Sequence, residues 1–249
     1  MEREPLTVDL SQNPKGMKRK TMRHRAWRTP FIVLVCGTLI LLVSFGLRQH
    51  LGLYMGPISS ELGWGRETFA LAIAIQSLVW GISTPFCGVI ADRYGPARVV
   101  AVGGVLYVAG LYLLSQTTTP LDATIGVGFF TGLALSMTGF PIVLSVVGRI
   151  APPHKRSLYL GIASAGGSSG QVLLVPLGQW FVNDFGWAGA VLITVFIAAL
   201  IVPLSSALAG GNKRADDNTV DQKFGQAMHQ AGTHFGFKLL CAGYFVCGF

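Results

Sequence analysis

Six stretches without a single charged residue follow one another along this chain: Thr29 to Leu47, Thr68 to Ala91, Val99 to Leu121, Ala123 to Gly148, Ser157 to Asn183 and Phe185 to Asn212. Each is close to or above the ~20 residues that a helix needs to cross a bilayer. They stand too close together, and hold too many Gly and Pro, to be the 10–14-residue helices of a soluble core. With 51% apolar and 12% charged residues the chain fits no soluble class, and the mean hydropathy of +0.54 agrees. The fold class that follows is an all-α, multi-pass membrane protein.

The bases set the expected orientation. Eight precede the first run. Arg93 and Arg98 lie between the second and third, Arg149, Lys155 and Arg156 between the fourth and fifth, and Lys213, Arg214, Lys223 and Lys238 after the sixth. Only Arg48 and Arg66 fall toward the opposite side, so the positive-inside bias predicts a cytoplasmic amino terminus in a cell-membrane protein. The net charge of +8 would suggest nucleic acid in a soluble chain, but here the bases cluster at the ends of apolar runs, so no nucleic-acid partner is expected. Cys36, Cys87, Cys241 and Cys247 sit inside apolar runs without ligand spacing and read as small core residues, with no metal and no cofactor. No run carries a paired acid, a His cluster or a nucleophile beside a base, so no enzyme is expected.

The expected organisation is a basic cytoplasmic segment over 1–28, six spans over 29–212, a polar cytoplasmic loop over 213–236, and the start of a seventh helix over 237–249. Thirteen residues rise only about 20 Å, short of the ~30 Å hydrocarbon core, so the seventh helix reads as cut off. A faint echo links Pro85 to Gly95 (Pro-x-x-Gly-x-x-x-Asp-x-x-Gly) with Pro176 to Gly186 (Pro-x-Gly-x-x-x-x-x-Asp-x-Gly). It equates the second run with the fifth, on opposite sides of the membrane, as an inverted three-plus-three repeat requires.

Between the second and third runs lies Gly88-Val-Ile-Ala-Asp92-Arg93-Tyr-Gly95-Pro-Ala-Arg98. Gly95-Pro96 breaks the chain, and Gly88 is small enough to let another backbone approach. The segment resembles the loop between helices two and three of the major facilitator superfamily, with Pro96 where the family has a base. The resemblance implies a gating loop of Gly88, Asp92, Arg93, Gly95 and Arg98. In the family the acid faces a helix terminus of the second half, where a carboxylate is favoured. A solvated turn obeying the positive-inside bias is the plainer reading of the same residues.

The patch Lys155-Arg156-Ser-Leu-Tyr159-Leu-Gly161-Ile-Ala-Ser-Ala-Gly166-Gly-Ser-Ser-Gly170 resembles the entry to helix five in the monocarboxylate porter branch and its oxalate/formate antiporter-like relatives. Tyr159 stands in place of an alanine there, and Ala188 in place of an arginine. Gly161, Gly166 and Gly170 are the candidate packing stripe. A phosphate-cradling loop is the rival reading of so many glycines, and the missing strand before them argues against it. The fourth run has Gly128 where proton antiporters of the superfamily place an arginine, so a titratable relay is missing there.

Arg48 follows nineteen uncharged residues and precedes the apolar stretch 51–58. Two placements are open from the sequence. Either helix one continues and holds a guanidinium at depth, at ~2.5–3.5 kcal/mol on insertion scales, or it ends at Leu47 and Arg48 snorkels to the interface. Monocarboxylate porters carry a base at about this point, and the resemblance implies an anion-binding role. His50 and Tyr54 share its neighbourhood, with His50 a candidate proton site because imidazole titrates near neutral pH. Gln76 and Gln171 are the amides deepest in the runs; each either lines a cavity or bonds helix to helix. The expectation is a secondary transporter of a small carboxylate or other organic anion, working by alternating access with a coupled proton or counter-anion, and completed by a missing C-terminal half. The alternatives are a drug or metabolite efflux facilitator and a transport-inactive membrane sensor or interaction fragment.

Overall fold

The computed structural model describes residues 29–210, and within them every regular element is helical. The expectations for 1–28, for 213–236 and for the seventh helix over 237–249 lie outside the described residues. Five helical segments are long and apolar enough to cross a membrane: Pro30–Leu62, Glu67–Tyr94, Pro96–Ser115, Pro120–Ile150 and Pro153–Ala209. The last is 57 residues long. A straight helix of that length would extend ~85 Å, nearly three bilayer cores.

Gly186 resolves this. It interrupts the helix Arg156–Ala199 with φ 71° and ψ 174°, a conformation that suits a residue without Cβ. We call the part before it α5 (156–185) and the part after it α6 (187–205). The earlier elements are α1 (Pro30–Leu62), α2 (Arg66–Tyr94), α3 (Pro96–Ser115) and α4 (Pro120–Ile150). A π-helical stretch, Thr124–Phe130, and a break at Gly139 interrupt α4.

Contacts along α1 reveal the direction of each neighbour. Thr38, Leu42, Gly46 and His50 meet Gly166, Gly170, Leu174 and Gly178 in that order, so α5 runs parallel to α1. Tyr54 then bonds to Thr194 at 2.6 Å, and Glu61, farther along α1, accepts from the indole N–H of Trp187. Numbers now fall as those of α1 rise, so α6 runs antiparallel and the chain doubles back at Gly186. By the same reasoning α2 is parallel to α4, through Gln76 with Thr131 and the Trp80 carbonyl with Ser136, and α3 is antiparallel to α4, through Gly110 with Gly126 and Gly103 with Met137. Exchanging α1, α2 and α3 for α4, α5 and α6 leaves these pairings unchanged: α1 on α5 becomes α4 on α2, and α1 on α6 becomes α4 on α3. The two ends of the sequence echo also match. Gly95, with φ 94°, terminates α2, as Gly186 terminates α5.

Local chemistry marks the boundaries. Thr29 caps α1 by accepting from the Ile32 N–H at 3.4 Å, Pro30 opens the helix, and Gly63 at φ 66° closes it. The first charge-free run stops at Leu47 whereas the helix continues to Leu62, because one arginine does not break backbone hydrogen bonding and the residues after it remain apolar. The third run overshoots its helix: Gln116 to Thr119 form a turn, and Thr119 caps the next segment by accepting from the Asp122 N–H.

The closest approach is at Gly170, where a Cβ would collide with the backbone carbonyl of Leu42. The carbonyl cannot rotate away as a side chain could. Replacing Gly170 by Ala is expected to cost about 1–3 kcal/mol, whereas Gly161→Ala, which meets open space, should stay within about 0.5 kcal/mol. Thermal unfolding of the two detergent-purified variants in the full-length protein checks the contrast.

Candidate functional site

Arg48 lies near the middle of α1, so of its two placements the structure takes the one in which the helix continues. Its side chain is half-buried, and the guanidinium carbon stands over the Trp80 ring of α2, 5.1 Å from the centroid. That separation is within the range where the negative face of an indole attracts a cation. The Nε of Arg48 is buried with no hydrogen-bond partner among the described residues. No carboxylate pairs with Arg48 among those residues; the ion pair found there joins Asp92 to Arg149.

Rings complete the surroundings. Phe45 meets Trp80 edge-on with centroids 5.9 Å apart, and Phe140 of α4 leans against Phe45 at 4.4 Å. Tyr107 of α3 is fully buried and donates its hydroxyl proton to the Ser44 carbonyl at 3.0 Å, one turn before Arg48. The Oγ of Ser44 is buried and, among the described residues, unpartnered. The Arg48 guanidinium thus faces an indole of α2 that is itself linked through Phe45 to Phe140 of α4, with Tyr107 of α3 bonded one turn earlier on α1. Sequence reasoning found the arginine and missed Trp80, Phe45, Phe140 and Tyr107, because aromatic residues inside apolar runs look like any other lipid-facing or core residue. A polar run position one turn before the arginine, Ser44, was the one signal that this face was not purely apolar.

The other expected site residues separate from Arg48. His50 is fully buried between α1 and α5, where its Nε2 lies 2.6 Å from the Leu174 carbonyl. A carbonyl only accepts, so Nε2 carries the proton, and Nδ1 is left without a partner among the described residues. Tyr54 is also fully buried, its hydroxyl tied to Thr194. Gln76, 1% exposed, donates to Thr131 at 2.7 Å and joins α2 to α4. All three are bonded from helix to helix, as expected for a polar group inside an apolar bundle, which is bound to a neighbour or left costly. Gln171 is half-buried on α5 and keeps partial access.

At the far ends of α2 and α4, Asp92 accepts from the Arg149 guanidinium at 2.8 Å. Both side chains are solvated, and Arg93 leans over the ring of Tyr94. Arg98 is exposed. A Cβ at Gly88 would meet nothing within 4 Å among the described residues, and the same is true of Gly161 in the expected packing stripe, while Gly166 and Gly170 press against Thr38 and Leu42. Gly161 sits near the start of α5, before that helix converges on α1.

The sequence profile of the Major Facilitator Superfamily matches residues 34–240. Among individual relatives, Monocarboxylate transporter 11 of Mus musculus is 26% identical over 212 residues, which is 82% of this chain and 47% of that protein. Monocarboxylate transporter 2 of Rattus norvegicus is 27% identical over 186 residues, 74% of this chain and 38% of its own length. The human Monocarboxylate transporter 2 reaches 34% identity over 134 residues, 54% of this chain and 26% of that relative. The chain thus spans less than half the length of the curated relatives it matches. With the profile covering all but the ends and the helices pairing as described, this multi-pass membrane chain belongs to the major facilitator superfamily.

Proposed function

We propose that this chain forms the N-terminal half of a secondary transporter for a small carboxylate or related organic anion, a six-pass unit with two inverted three-helix repeats. The observation that carries the substrate class is Arg48: a cation halfway along a membrane helix, stacked on an indole and without a carboxylate among the described residues. A half-buried charge without an ion-pair partner is costly inside a membrane, and an anion brought to ~4 Å would return roughly 4 kcal/mol at an effective dielectric of 20. The planar fork of the guanidinium suits a carboxylate bidentately. The names of the relatives, monocarboxylate transporters, support the same class. Energy would come from a solute or ion gradient, with a coupled proton or counter-anion, and the site would be completed at mid-membrane by a second half.

Three tests bear on this reading, all in the full-length protein. Reconstituted into liposomes, Arg48→Lys should weaken binding of a small carboxylate, because it keeps the charge and loses the fork; Arg48→Gln should cost about 2–5 kcal/mol, roughly 30-fold or more in affinity. A Gln variant that binds like wild type would remove the residue-level support for an anion.

The Asp92–Arg149 pair is solvated, so breaking it should barely alter stability. If it instead holds the α2 and α4 ends together in one gate state, Asp92→Asn should slow turnover several-fold while the melting temperature moves little. Unchanged turnover leaves Asp92 a turn residue.

Orientation is checked by cysteine labelling. A single cysteine at Asp122 should react with an impermeant maleimide from outside intact cells, and one at the exposed His154 only after permeabilisation. The opposite pattern inverts the assigned topology.

A further inference from the structure

Arg48 and Trp80 come from different helices, and their contact has a geometric consequence. A guanidinium whose flat face meets an indole keeps its two terminal nitrogens in the plane, where a carboxylate binds; with the Nε of Arg48 buried, the terminal pair is the edge that an anion would use. The stack and the anion therefore do not compete. An aliphatic side chain at 80 would leave the cation free to swing toward water, as flexible basic side chains do in membranes. Trp80 is itself braced: Phe45 abuts its ring edge-on, and the Trp80 carbonyl accepts from Ser136 of α4 at 3.0 Å. The ring is thus abutted from α1 and its backbone tied to α4, while among the described residues the contact found for the guanidinium is the Trp80 ring.

We propose that Trp80 is a positioning residue for anion binding: its indole face holds the Arg48 guanidinium flat and presents the N–H edge to the substrate carboxylate. The inference rests on the reading of Arg48 as the anion anchor. It predicts that the aromatic face, and not side-chain volume, matters at position 80. Trp80→Tyr should retain most of the affinity, and Trp80→Leu should lose about three- to thirtyfold, the range of a partly to fully desolvated cation–π contact.

The test uses the full-length protein in nanodiscs with radiolabelled acetate, propionate and benzoate as probes. Binding is measured for wild type, Trp80→Tyr, Trp80→Leu, Arg48→Lys, Arg48→Gln and the Trp80→Leu/Arg48→Lys double variant. The expected outcome is a large Leu penalty, a small Tyr penalty, and a Leu penalty that shrinks in the Lys background, because an ammonium lacks the planar edge that the stack orients. A merely structural Trp80 would give equal Leu penalties in both backgrounds, and that result overturns the proposal. Retained binding in Trp80→Leu together with loss in Arg48→Gln also overturns it, leaving the anion reading intact. Wild type binding none of the three probes, or Arg48→Gln binding like wild type, sinks the anion reading and this proposal with it. Emission of a variant with Trp80 as its only tryptophan adds a ligand-free readout. It should shift on Arg48→Gln, and no shift means that the ring and the cation are not in contact.

Discussion

Everything in this bundle depends on how closely α1 and α5 approach. In lipid there is no hydrophobic force between helices, so contact must come from dispersion and from backbones brought near one another. Gly46, Gly166 and Gly170 provide that, with the Leu42 carbonyl seated where a side chain of residue 170 would be. Once the two helices are locked in parallel, the rest of α1 is oriented as well. Its opposite end is tied to α6 by Tyr54 and Thr194, and its other flank turns Ser44 and Arg48 toward α2 and α3.

Against that background the charge on Arg48 is affordable. Insertion of an arginine at mid-helix costs ~2.5–3.5 kcal/mol, and a desolvated cation–π contact returns up to ~2 kcal/mol. The difference is small enough for the guanidinium to remain in the helix without a carboxylate partner among the described residues. His50 illustrates the opposite solution. Two residues on, and facing α5, it is buried with its Nε2 against a backbone carbonyl, so two polar side chains nearly adjacent in sequence have different surroundings because they point to different neighbours.

Much of this was legible from the sequence, for identifiable reasons. The charge-free runs follow from the bilayer's demand for apolar length, and the Pro/Gly echo equated the second run with the fifth, whose helices the structure ends at Gly95 and Gly186, both with positive φ. Arg48 was legible because a base in an apolar run stands out. What was not legible is azimuth. His50, Tyr54 and Gln76 are as polar as a cavity lining requires, but only the rotation of each helix decides whether such a residue meets a cavity or a neighbour. The same lack hid Trp80, and it made Gly161 look equivalent to Gly166 and Gly170 although the helices have not yet converged at that level.

The single-residue links at Gly95 and Gly186 make the bundle a mechanical linkage with unequal joints. α2 ends at Tyr94 and α3 begins at Pro96; α5 and α6 flank Gly186 directly. Neither pair has slack, so a change of tilt in one member drags the other like two bars on a short pin. The longer links, 63–65, 116–119 and 151–155, all border α1 or α4. These two helices are therefore the ones whose inclination is not geared to a covalent neighbour, and α1 is also the helix that carries the guanidinium. The arm that carries the mid-helix cation is the arm with play at its joint.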